Sequence, residues 1–128
     1  MVRVYILKYM AQKHQKKKKE KKQQQQLLFG IFAIHTPESC PLNNKQSREI
    51  FMQIDEKLKI ITAKYNISKI VGFYMSVLEH QWVIIVEAEN AHDIETLCIE
   101  AGISAFNTVK IVPLNNFDVV MKRIKGIV

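Results

Sequence analysis

Residues 27–35 read LLFGIFAIH, a run in which the odd positions (Leu27, Phe29, Ile31, Ala33) and the even ones (Leu28, Gly30, Phe32, Ile34) are alike apolar or glycine. Eight such residues and His35, stopped by Thr36 and Pro37, have the length of a strand and fall short of a buried helix. Side chains alternate across a strand, so a run that is apolar at both parities needs a cover on each face. Residues 82–88 (WVIIVEA) repeat the pattern, with Trp82, Ile84 and Val86 on one parity and Val83 and Ile85 on the other. The fold must therefore supply two covers for one sheet.

Working outward, residues 36–44 (TPESCPLNN) hold two prolines and two asparagines and read as a loop that ends by capping a helix. Ile50, Phe51, Ile54, Leu58, Ile61 and Tyr65 then recur at three- and four-residue steps, the stripe of an amphipathic helix. Residues 69–78 (KIVGFYMSVL) pair with residues 82–88 as a hairpin across Glu79, His80 and Gln81. Asn90 offers a cap to a second helix with Asp93 three residues on, and the stripe Ile94, Leu97, Cys98 and Ala101 is closed by Gly102. Residues 108–114 (TVKIVPL) make a last strand whose Pro113 suits a sheet edge or strand end. A short terminal helix follows, with Phe117, Val120, Met121 and Ile124 on one side.

The order β-α-β-β-α-β predicts an α+β, ferredoxin-like fold, a four-stranded antiparallel sheet with both long helices on one face. The helices supply one cover. The economical second cover is the same sheet of another copy, which predicts a homodimer with the architecture of a dimeric α/β barrel. The competing cover is the terminal helix folded back over the open face.

One domain, 27–128, fits the length of 128 residues. The net charge of +7 is not a property of that domain. Residues 1–26 carry nine of the 19 Lys and Arg and one of the 12 acids, a charge of +8, and the remainder carries −1. Residues 13–26 (KHQKKKKEKKQQQQ) contain nothing to bury, so this low-complexity tail is expected to be disordered or a frayed helix. Clustered lysines are an electrostatic handle for a nucleic acid or an anionic surface, although no aromatic residue is interleaved to stack on bases. The stretch 2–10 is too short for a transmembrane segment and holds Arg3 and Lys8. Two cysteines, Cys40 and Cys98, are too few for a disulfide framework, and with no export signal the expected location is cytoplasmic.

In this topology the end of the first strand meets the hairpin turn, which brings His35, Cys40, Glu79 and His80 to one edge of the sheet. His35, Cys40 and His80 are types that ligate a borderline or soft metal such as zinc, copper or iron, and Glu79 and His80 are candidates for a base or proton carrier. Without a metal, the same edge reads as a small-molecule cleft lined by Tyr74, Ser76 and Trp82. The plain structural alternative also stands, in which the histidines and Cys40 are a strand end, a turn and a small loop residue. Cys98 falls within a helix stripe and reads as a buried structural thiol, while His92 sits in a helix's first turn at the far edge. No Gly-rich phosphate loop, G-x-S-x-G, C-x-x-C or HExxH is present, which removes support from nucleotide hydrolysis, serine esterase chemistry and zinc fingers.

The run HTPESCP (35–41), followed by EHQWVIIVEA (79–88) and AHDIE (91–95), resembles a group of small uncharacterised archaeal proteins of the dimeric α/β-barrel superfamily, over roughly residues 27–114. The resemblance implies the dimeric fold. The wider superfamily includes cofactor-independent quinol monooxygenases, haem-degrading monooxygenases, muconolactone isomerases and ligand-sensing domains, so a monooxygenase, an isomerase or a non-catalytic sensor domain is the implied range of function. None of their catalytic residues transfers to a numbered position here.

Overall fold

The structure, a computed structural model, describes residues 26–126 together with Lys8 and Met10. The expectations for the basic tail therefore lie almost wholly outside the described residues. Four strands, β1 (Leu27–Ile34), β2 (Ile67–Ser76), β3 (Gln81–Ala88) and β4 (Thr108–Leu114), form one antiparallel sheet in the order β2-β3-β1-β4. Within residues 26–126 three α-helices, α1 (Lys45–Lys64), α2 (Ala91–Glu100) and α3 (Phe117–Ile124), complete a small α+β fold that fits a ferredoxin-like arrangement. No described helix is long and apolar enough to cross a membrane.

The two doubly apolar strands are the central ones, as their composition requires. β1 pairs with β3 from Leu27 opposite Ala88 to Ile34 opposite Gln81, and with β4 along its other side. Phe29, Ile31 and Ala33 of β1 and Trp82, Ile84, Val86 and Ala88 of β3 lie buried on one face. Onto them α1 lowers Ile54, Leu58 and Ile61, and α2 lowers Ile94, Leu97 and Cys98. A fully buried aliphatic side chain of this kind contributes about 1.5–3 kcal/mol, so these two stripes are what hold the helices to the sheet.

Local signals set the ends of the helices. Asn44 Oδ1 accepts from the Ser47 amide and Asn90 Oδ1 from the Asp93 amide, so each asparagine caps an otherwise unpaired first turn. Gly102, at φ +85°, takes the left-handed position after α2, and a β-carbon there would come within 2.7 Å of Ile50 Cγ2. β2 is an edge strand interrupted by two register shifts, between Ile67 and Lys69 and between Ile70 and Gly72. Such irregularities blunt an edge against pairing with a further strand.

The other face of the sheet presents rows rather than a scatter of apolar groups. Gly30, Ile85 and Gly72 lie abreast on β1, β3 and β2, and Phe32, Val83 and Tyr74 form the next row. The Phe32 ring lies against Gly30 and the Tyr74 ring against Gly72, so each glycine is roofed by the aromatic two positions on. The terminal helix does not supply the cover: α3 buries none of its residues, and Phe117 and Ile124 are about three-quarters exposed.

Candidate metal centre

Three elements that end at one corner of the sheet build the site. His35 follows the last residue of β1, and its amide donates to the His80 carbonyl at 3.1 Å, extending the β1–β3 ladder by one rung. His80 closes the turn 77–80 between β2 and β3 and adopts φ +53°, the left-handed region that histidine tolerates better than most side chains. Cys40 ends the short 3-10 turn Pro37–Ser39, which Thr36 caps through its hydroxyl. Arg48 of α1 pins this loop, its Nε donating to the Pro41 carbonyl and its Nη2 to the Leu42 carbonyl, both at 3.0 Å. A ligand atom from each of His35, Cys40 and His80 lies within 4.8 Å of the others.

Asn107, just before β4, settles which histidine nitrogen is free. Its Nδ2 donates to the Ile103 carbonyl at 2.9 Å, which turns its Oδ1 toward His35 Nδ1 at 2.8 Å. An amide oxygen accepts only, so Nδ1 carries the proton and Nε2 is a bare lone pair. That Nε2 is buried without a hydrogen-bond partner, and so is His80 Nδ1. A buried polar atom left unpaired costs about 1–3 kcal/mol, and here two such atoms belong to imidazoles whose centroids lie 5.4 Å apart, in the same cluster as the Cys40 thiol. Zinc-like bond lengths place ligand atoms about 3.3–3.8 Å apart, so the three donors need to close by about 1 Å to hold one ion.

Aromatic rings crowd one side of His35. Trp82 stands edge-on to His35 at 5.8 Å, Phe106 at 5.7 Å and His80 at 5.4 Å between ring centroids. Trp82 is in turn held by Phe51 and Phe73, both at 5.6 Å. The open side of the cluster faces a pocket of about 300 Å³, walled by His35, Cys40, His80, Phe51, Met75 and Trp82 among others. No Asp or Glu is among the residues lining it. Around its mouth Leu42, Met52 and Val77 stand well exposed, an apolar rim.

Of the residues singled out from sequence, His35, Cys40 and His80 come together, and Ser76 and Trp82 line the same pocket. Glu79 is exposed in the turn, with its amide donating to Ser76 Oγ, and its side chain is not part of the pocket wall. Tyr74 lies on the open face of the sheet, opposite Val83, so strand alternation carries it away from the cluster. Cys98 is buried in the core, where desolvation, followed by the charge of Glu95, pushes its thiol up to about 12. His92 is exposed at the start of α2, near Glu95.

Asn107, Arg48, Phe51, Met52 and Met75 were not legible as site residues. The signal for Asn107 was the register: β4 runs antiparallel to β1, so the residue before Thr108 lies beside the residue after Ile34. Arg48, Phe51 and Met52 sit on the first two turns of α1, which the loop carrying Cys40 leads into.

No family model and no curated protein matches this sequence. Among solved structures, the chain is similar to an uncharacterized protein from Thermotoga maritima, with 17% identity, a TM-score of 0.38, and cover of 71% of this chain and 98% of that one.

Proposed function

We propose that the chain holds one transition-metal ion at His35 Nε2, His80 Nδ1 and Cys40 Sγ, and uses the coordination position left open to bind a small apolar molecule in the adjoining pocket. The observation that carries this is that each imidazole of the His35, Cys40 and His80 cluster keeps one buried, unpartnered nitrogen, that of His35 fixed as a lone pair by Asn107. The ion supplies the positive charge that the two lone pairs and the thiolate lack. Zinc, copper and iron all fit two imidazoles and a thiolate.

The pocket wall offers no carboxylate to move protons, so any proton carrier is a histidine, His80 above all, and the exposed Glu79 has no part in the reading. This supports metal-centred ligand binding, by a sensor or a monooxygenase-like protein, over an acid–base isomerase. The protein acts as a homodimer joined through the open sheet face, whose rows of Phe32, Val83, Tyr74 and Ile85 would otherwise meet water.

Elemental analysis of protein purified without chelators tests the metal. One transition-metal ion per chain, lost in both His35→Ala and His80→Ala while the fold persists, is the expected result. Metal-free protein that also takes up none of Cu(I), Zn²⁺, Fe²⁺ and Co²⁺ refutes it.

A further inference from the structure

The charges around the three donors narrow the choice of ion. A thiolate and two neutral imidazoles carry a total charge of −1. A monovalent ion makes the complex neutral, which an apolar pocket tolerates. A divalent ion leaves a positive charge with no Asp or Glu on the wall to offset it, and Arg48, itself a cation, is among the residues of that wall. The donors agree with the charge. Besides the cluster itself, the soft donor atoms on the wall are the thioethers of Met52 and Met75, and thiolate and thioether surroundings favour Cu(I) over oxygen-seeking ions. Three ligands also satisfy Cu(I), a filled-shell ion content with low coordination, whereas Zn²⁺ and Fe²⁺ would still need further donors from outside the chain.

We infer that the site is built for monovalent copper, held as a neutral, three-coordinate thiolate–bis-imidazole complex under an apolar, methionine-bearing pocket. The inference rests on the metal reading above. Binding forms the S–Cu bond as Cys40 gives its thiol proton to solvent; copper enters as Cu(I) and no electron is transferred. A neutral complex of this kind under an apolar wall leaves its open position to uncharged ligands with a soft donor atom, such as a thioether, an alkene or carbon monoxide, rather than to carboxylates or phosphates.

The test uses the full chain, anaerobically and with a thiol-free reductant. Cu(I) is competed from its bicinchoninate complex, and Zn²⁺, Fe²⁺ and Co²⁺ are each titrated against a chelating dye. One Cu(I) per chain, held more than about a hundredfold tighter than Zn²⁺ and weakened by at least that factor in Cys40→Ser, is expected. Zn²⁺ or Fe²⁺ bound within that factor overturns the copper assignment and leaves the metal site standing. Equal Cu(I) affinity in the wild type, Cys40→Ser and His35→Ala places copper elsewhere and also overturns it. If none of the four ions binds stoichiometrically, the metal reading itself fails, an outcome distinct from either.

Discussion

Asn107 shows how much one side chain decides. Its amide is held by the Ile103 carbonyl on one side and holds His35 on the other, so it selects the tautomer of a proposed ligand without itself ligating the ion. Asn107→Leu keeps the volume but removes the acceptor, and metal affinity measured by chelator competition is expected to drop by about 10–100-fold, as second-layer partners of ligating histidines commonly cost. Cys98 makes a different prediction at the same scale. Its thiol is raised from 9.0 to about 12 by burial, so the folded state binds that proton more tightly than the unfolded chain. The stability it lends is full below pH 9 and is lost as pH rises toward 12. Urea denaturation from pH 8 to 11 should fall more steeply for the wild type than for Cys98→Ala, by at most about 1.4 kcal/mol per pH unit.

At the scale of elements, the sequence disclosed most of the fold, because the signals were local. The doubly apolar runs named the central strands, Asn44 and Asn90 named two helix starts, and Gly102 named an end. Gly102→Ala tests the last of these: the left-handed φ and the close approach to Ile50 should cost about 1–3 kcal/mol in chemical denaturation, with the fold retained. The candidate site was legible only in part. His35, Cys40 and His80 could be gathered from strand order, since order decides which ends meet. Tyr74 could not be placed, because the hairpin turn spans residues 77–80 rather than Glu79 to Gln81 and β2 carries two register shifts before it. Sequence fixes neither the length of such a turn nor the position of a bulge, and each changes the face on which later residues fall. Asn107 escaped notice because its partner His35 lies 72 residues away, and Arg48 because it bonds the Pro41 and Leu42 carbonyls of an irregular loop; neither role leaves a periodic trace.

For the molecule as a whole, the face opposite the helices is the deciding surface. On that face Tyr74 is exposed and Phe32, Val83 and Ile85 are half-buried, and α3 buries none of its own residues. Sedimentation equilibrium at micromolar concentration is expected to give twice the 14.9 kDa chain mass. Val83→Lys, which sets a charge in the middle of the aromatic row, should give a monomer with unchanged helix content by circular dichroism. A wild-type monomer would remove the dimer. It would leave the corner holding His35 and His80 untouched, since that corner lies on the helix-covered side of the sheet.

The rung between the His35 amide and the His80 carbonyl ties coordination chemistry to strand alignment. If β1 slid by a single position against β3, the imidazole at its tip would swap sides and the three donors would scatter, so an ion gripped there acts as a rivet through the sheet's corner. Amide exchange at the tips of β1, β3 and β4 should accordingly slow when the protein is loaded and quicken when it is stripped, making those few hydrogens a gauge of occupancy that requires no knowledge of the guest molecule.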